Sequence, residues 1–498
     1  MLILLLVLSR IKEKYGNMNA KDMLKGSPGK SLFFFALPMV FGNLFQQFYN
    51  MVDSIVVGRY VGEDALAAVG ASYSLTTVFI MVAIGGGIGA SVLTSQYLGA
   101  GRHDKMKTSI ATALISFLVL SILLALLGFW VNSSILRALK TPENIMPDAV
   151  VYLNIYFAGL PFLFMYNILS AIFNALGKSK IPLFLLLFSS LLNIILDLVM
   201  VRVFHMGVAG VAIATVIAQG ISAVVSFMIL WHQLKRYQVP ETEKLKLFDF
   251  GMLFRATKIA VPSIIQQSIV SIGMLLVQSV VNSFGSSVLA GYSAGMRVES
   301  ICIVPMIATG NAVSTYTAQN LGAGQPERVK KGYWFSWAMV ISFAVIICLT
   351  LNLFHDNIVA IFMEVNEGGL AFATGNAYLV FISWFFVLIG LKAVTDGVLR
   401  GAGDVGVYMA ANLINLSIRV FVANYFAPIW GVAAVWYAVP MGWAVNFTIS
   451  FIWLLTGHWE KKQIIREKPK AEPIIEPIIV PEAEPKIESK TESKVEPK

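Results

Sequence analysis

Charge is what this chain lacks most. Asp, Glu, Lys and Arg together make up 13% of its 498 residues, where a soluble domain carries roughly a quarter. With 57% hydrophobic residues and a mean hydropathy of +0.74, a water-soluble globule is excluded. Cysteine is nearly absent. Cys302 and Cys348 both fall inside apolar runs and read as small buried hydrophobes, so a disulfide framework and a Cys-based metal site are excluded. The five histidines form no cluster, and no His-Glu-x-x-His occurs. A phosphate loop is also missing. "GGGIGA" (85–90) lies within an apolar run without a preceding strand or a following Gly-Lys-Ser/Thr, which makes it a helix-packing stretch. ATP drive and metalloenzyme chemistry therefore have no residues to work with.

Long apolar runs are present instead. Twelve can be marked, at 31–58, 66–98, 108–130, 149–174, 181–204, 207–232, 254–282, 288–320, 331–354, 371–399, 407–427 and 430–456. Each can cross a hydrocarbon core of about 30 Å as a helix. The runs are continuously apolar and lack the alternation of a membrane barrel. The expected class is an all-α integral membrane protein. Pro38, Pro161, Pro262, Pro305 and Pro440 lie within runs and are candidate kinks.

The net charge of +9 does not call for nucleic acid, because the basic residues sit in particular loops. Lys and Arg crowd the segment before the first run, the loops after the second, fourth and eighth, and the loop between the two halves, while 355–370 is acidic. That bias places both termini in the cytoplasm. The leader "MLILLLVL" (1–8) is too short to span and lacks a basic n-region. Either translation starts at Met18, or the leader is a short membrane-surface anchor. From 457 a cytoplasmic tail begins, and its Lys-, Glu- and Pro-rich stretch from about 467 is expected to be disordered.

The chain repeats itself. "TSQYLGAGRHDKM" (94–106) returns as "TAQNLGAGQPERV" (317–329), 223 residues later. "FALPMV" (35–40) pairs with "IAVPSI" (259–264), "LAAVGA" (66–71) with "LAGYSA" (289–294), and "NALGKS" (174–179) with "RGAGDV" (400–405). "GVAGVAIA" (207–214) pairs with "IWGVAAVW" (429–436), all at nearly the same offset. Two homologous six-helix bundles follow: an N-lobe over 31–232, a linker over 233–253 and a C-lobe over 254–456. Six is even, so both halves enter the membrane from one side, and their pseudo-two-fold runs along the membrane normal. Each "LGAG" is read as a structural corner where glycine lets a helix end tightly.

Ionisable residues inside a membrane are costly and mark function by default. Asp53 lies about 8 Å from the outer end of its run, Asp197 about 11 Å and Thr215 about 12 Å at 1.5 Å per residue. Asn193 precedes Asp197 by one turn and shares its face. Two carboxylates, an amide and a hydroxyl at one depth supply oxygen ligands for a hard cation, or the carboxyls hold protons. Snorkelling interfacial residues are the bland alternative. Gln46, Tyr49, Asn50 and Asp53 form one polar stripe, facing either a cavity or a seam between helices. Asn167 is a weaker candidate of the same kind. In the C-lobe, Glu299 and Arg419 are a candidate buried pair, and Lys392, Asp396 and Arg400, spaced four apart, read as a local charge ladder.

The stretches "ALPMVFGNLFQQFYNMVDSIVVGRYVG" (36–62), "QYLGAG" (96–101), "NIILD" (193–197), "GVAGVAIAT" (207–215) and "GVLRGAGD" (397–404) together resemble the multidrug and toxic compound extrusion (MATE) family. The resemblance covers residues 30–456 and is similar in style to its bacterial DinF-like branch. It implies a two-lobe, twelve-helix antiporter that exports small organic cations or drugs against inward Na⁺ or H⁺, with no other cofactor and no obligate protein partner. It also implies that Asp53, Asn193, Asp197 and Thr215 form the N-lobe cation site. Other branches couple through C-lobe acids, which leaves Glu299 and Asp396 open beside Arg419. A flippase for a lipid-linked precursor is the alternative and would want a more basic cavity. An intramembrane transferase would need a nucleophile or an acid–base pair, and the sequence offers neither.

Overall fold

The computed structural model describes residues 21–241, 243–362 and 369–462. The leader 1–20 and the tail from 463, with the expectations attached to them, lie outside the described residues. Twelve long helices follow in order: α1 Pro28–Tyr60, α2 Glu63–Gly99, α3 His103–Ala138, α4 Met146–Ala175, α5 Lys180–Val203 and α6 Gly207–Leu234. After a connector come α7 Phe250–Asn282, α8 Ser286–Gly322 and α9 Pro326–Ala360. The bent α10 is built from Leu370–Ser383 and Phe386–Ala402, and α11 Val405–Trp430 and α12 Ala433–Leu455 complete the set. Ten of these are long and apolar enough to cross a membrane, and the bent α10 makes eleven. The remaining one, α7, matches α1 in length at 33 residues each.

The two halves pack alike. In the N-lobe α4 is central, flanked by α2, α3 and α6, while α5 lies against α6 and α1. In the C-lobe α10 is central, flanked by α8, α9 and α12, while α11 lies against α12 and α7. Central helices must be apolar all round. Leu153, Phe157, Leu160, Phe164, Ile168 and Ile172 on α4 are each 0% exposed. The outer helices invert the soluble pattern: Leu123, Leu126, Leu127 and Trp130 of α3 are exposed, while Asn193, Asp197, Asp396 and Asn446 are buried. Such a surface suits hydrocarbon and not water.

Breaks follow the sequence only in part. α8 is interrupted at Ile303, next to Pro305. Pro38, Pro161, Pro262 and Pro440 instead sit inside continuous helices. α10 turns by 53° at Trp384–Phe385, where neither Pro nor Gly gives warning.

Close helix approach inside the C-lobe rests on glycine. A Cβ on Gly397 of α10 would sit 2.4 Å from the Gly310 carbonyl oxygen of α8, and one on Gly310 would sit 2.5 Å from the Ala393 carbonyl oxygen. Small residues at such crossings are what packs membrane helices. Gly397→Val is therefore expected to cost about 1–3 kcal/mol by overpacking and to lower the melting temperature in a thermal-shift assay. Gly406→Ala, with nothing within 4 Å, should leave it unchanged.

The lobes meet at the repeated motif. Each "LGAG" ends its helix in a tight turn, with Gly101 at φ 68° and Gly324 at φ 71°, so the expected corner is present. The same turns also lock the lobes together. Gln96 Nε2 of α2 donates to the Gly401 carbonyl oxygen at 3.1 Å, and Gln319 Nε2 of α8 donates to the Ala175 carbonyl oxygen at 2.7 Å. Gln96 and Gln319 are repeat equivalents, as are Ala175 and Gly401, so this is one bond made twice across the pseudo-two-fold. A Cβ on Gly99 would stand 1.9 Å from the Gln319 carbonyl oxygen, and one on Gly322 would stand 2.1 Å from that of Gln96. The motif end of the molecule is thus drawn shut. The sequence showed the repeat and not this contact between its copies.

Candidate functional site

The N-lobe site is assembled by three helices. α1 brings Tyr49 and Asp53, one turn apart, against α5, which carries Asn193 and Asp197, also one turn apart. α6 contributes Thr215. The Tyr49 hydroxyl and the Asn193 side-chain amide are hydrogen-bonded. Turned so that its Nδ2 faces Tyr49, that amide also donates to Asp197 Oδ2 at 3.2 Å, and its Oδ1 accepts from the Thr215 backbone N–H at 3.2 Å. In the opposite orientation Nδ2 reaches Thr215 Oγ1 at 3.3 Å. Every residue named from sequence for cation coupling therefore converges on one spot.

The two carboxyl groups are neighbours. Asp53 and Asp197 lie within electrostatic reach of each other, and like charges so close favour a shared proton or a cation between them. Asp197 is 1% exposed and Asn193 2%. Asp53 Oδ1 and Asp197 Oδ1 are buried and have no hydrogen-bond partner. Among the described residues no ion pair reaches either acid. Buried acids without a base are expensive, and what satisfies them must come from outside the protein. Two carboxyls, an amide oxygen and hydroxyls suit a hard monovalent cation or protons. Among the described residues no group of three or more His, Cys, Asp or Glu could hold a metal.

Not all of the polar stripe takes part. Gln46 Nε2 donates to Asn50 Oδ1 at 3.0 Å on its own helix. Asn167 Nδ2 donates to the Leu163 carbonyl oxygen at 2.9 Å, again within its helix. Tyr152 of α4, which sequence reasoning passed over, interacts electrostatically with both Asp53 and Asp197. A tyrosine in an apolar run gives no sign of such a neighbour. Just beyond Asp197, α5 widens into a π-helical turn over Val199–Val203, a distortion common beside functional groups.

In the C-lobe, Tyr378 donates its hydroxyl to Glu299 Oε2. Arg419 lies within electrostatic reach of Glu299, without a direct ion pair between them. Of the supposed charge ladder only one rung forms. Lys392 Nζ and Asp396 Oδ2 pair at 2.9 Å. Arg400 turns away to Asn311 Oδ1 at 2.7 Å and Ser314 Oγ at 3.3 Å, because α8 crosses α10 there and offers closer oxygens. Asp396 is also held by Ser450 Oγ at 3.0 Å and Asn412 Nδ2 at 3.3 Å. It is a satisfied structural acid, unlike Asp53 and Asp197.

Residues 38–199 and 262–426 match the family MatE, one segment in each lobe. The chain is 30% identical over 453 residues to the probable multidrug resistance protein YpnP of Bacillus subtilis, covering 91% of this chain and 100% of that one. It is 24% identical over 459 residues to the probable multidrug resistance protein NorM of Thermotoga maritima, covering 89% and 95%. Among solved structures, an outward-facing conformation of a multidrug resistance MATE family transporter superposes with a TM-score of 0.80 at 21% identity, over 88% of this chain and 98% of that one.

Proposed function

The chain belongs to the MATE family, and from that premise we propose that it is a secondary antiporter exporting organic cations or drugs in exchange for Na⁺ or H⁺. One observation carries this reading: a pair of acids, buried Asp197 and half-buried Asp53, that no ion pair reaches among the described residues, with oxygens left unsatisfied in a lobe that faces a second, similar lobe. Both termini lie in the cytoplasm of the plasma membrane on the loop-charge argument. The glutamine-locked end is then the cytoplasmic end, and the fold described here is closed toward the inside.

The cycle has few parts. With the locks open, a lipophilic cation loads from the cytoplasm or inner leaflet. Closure of the Gln96 and Gln319 contacts turns the site outward. The coupling ion then enters from outside, binds at Asp53, Asn193, Asp197 and Thr215, and lowers affinity for the drug. Coupling needs only that ion and drug bind the two states differently. Tyr49 holds Asn193 in place, so Tyr49→Phe removes one hydrogen bond, about 0.5–1.5 kcal/mol. It is expected to weaken half-saturation by the coupling ion about 2- to 10-fold in transport assays while leaving the maximal rate intact.

The test is ethidium efflux from right-side-out vesicles, with Na⁺ and pH gradients imposed separately. Efflux under one gradient, and none without it, establishes the antiporter and names the ion. No gradient-dependent efflux from correctly inserted protein overturns drug export and favours lipid-precursor flipping.

A further inference from the structure

The two lobes share one motif with its charge inverted. "NIILD" (193–197) of α5 returns as "NLSIR" (415–419) of α11, so Asn193 corresponds to Asn415 and Asp197 to Arg419. Around Arg419 the polar groups are left unmatched. Its Nε is buried without a partner, as are Asn415 Oδ1 and both amide atoms of Asn446. Asn446 is 0% exposed and Asn415 8%. These groups sit together. A Cβ on Gly442 would lie 2.2 Å from Asn415 Oδ1 and 2.9 Å from Arg419 Cγ, and Asn446 follows Gly442 by one turn of α12. One turn further, Ser450 of α12 reaches Asp396 of α10, which Asn412 of α11 also binds, so Asn446 lies between the Gly442 contact with α11 and this three-helix junction. Glu299, occupied by Tyr378, gives electrostatic balance without meeting the guanidinium.

An unpaired arginine beside an unpartnered buried amide is costly unless something completes it. Guanidinium and amide N–H groups together are the donor set that selects a carboxylate. We propose that Arg419 and Asn446 supply the donors of an anion subsite, beside Asn415, for the carboxylate of a transported zwitterion. The inference rests on the drug-export reading and narrows it: the N-lobe is built for positive charge and the C-lobe for negative.

A matched dye pair tests this. Rhodamine 19 is the free acid of rhodamine 6G, so the two share a cationic ring system and differ in carboxylate against ethyl ester. Binding of each to the full-length protein in nanodiscs is measured by fluorescence anisotropy. The wild type should bind the acid at least as tightly as the ester, although the acid is less lipophilic. Arg419→Gln should weaken the acid about 10-fold or more and the ester less than 3-fold. Asn446→Asp, which places a carboxylate one helical turn from the Gly442 contact with Arg419, should likewise remove the acid's advantage, and it guards against an Arg419 variant that fails to fold. Equal loss of both dyes in both variants, or no change in either, overturns the subsite while leaving drug binding in place. Binding of neither dye by the wild type overturns the export reading and the subsite with it.

Discussion

Asp197→Asn is expected to abolish coupled efflux while drug binding survives. Asp197 is buried, close to Asp53, and free of any ion pair with a base among the described residues, so the ion that occupies the site is the natural counter-charge. An amide keeps the shape and removes the charge. Coupling energies between sites are typically about 1–3 kcal/mol, or 5- to 150-fold. Gradient-driven ethidium efflux should therefore fall on the order of 100-fold, with ethidium affinity in detergent changed less than about 3-fold. Asp53→Asn should behave the same way. The two together should be no worse than either alone, because a shared site is lost once. Asp396→Asn, by contrast, removes an acid already held by Lys392, Asn412 and Ser450. It should lower stability and leave the ion dependence of efflux in place.

The second large effect concerns the lock between the lobes. Cβ atoms on Gly99 and Gly322 would collide with backbone carbonyl oxygens at 1.9 Å and 2.1 Å. Backbone cannot rotate away as a side chain does, so the lobes must separate. Each substitution costs about 1–3 kcal/mol of overpacking, and Gly99→Ala with Gly322→Ala should shift the balance toward the open form on the order of 100-fold, near 3 kcal/mol. Spin labels at Lys107 and Lys331, after replacement of Cys302 and Cys348, would report the separation by double electron–electron resonance. The wild type should give mainly the short distance and the double variant mainly the long one. Gln96→Ala with Gln319→Ala should move the same distribution less, since two hydrogen bonds are lost and no clash is created.

Much of the fold was legible because apolar run length and loop charge are local signals. The run marked 207–232 is the helix Gly207–Leu234, and 254–282 ends at Asn282. The residues proposed for coupling could be picked out for a related reason. Acids are rare in spans, and helical spacing put Asn193 beside Asp197. What stayed hidden depends on contacts between distant segments. The partner of Gln96 lies 305 residues away at Gly401. Tyr152 meets the acids only because α4 is central. The bend at Trp384–Phe385 has no breaker residue to announce it. Gln46 and Asn50 looked equal to Tyr49 in sequence, and Asn167 a weaker candidate, yet all three make hydrogen bonds on their own helices.

The most direct measurement of the central claim, that ion and drug compete through Asp53 and Asp197, is drug binding as a function of ion. The affinity of purified protein in nanodiscs for rhodamine 6G should be followed across pH and across Na⁺ concentration. The account predicts that affinity weakens as one of the two ions rises, and that this dependence vanishes in the Asp53→Asn, Asp197→Asn double variant. An ion dependence that persists undiminished in that variant would place coupling elsewhere in the protein and contradict the account.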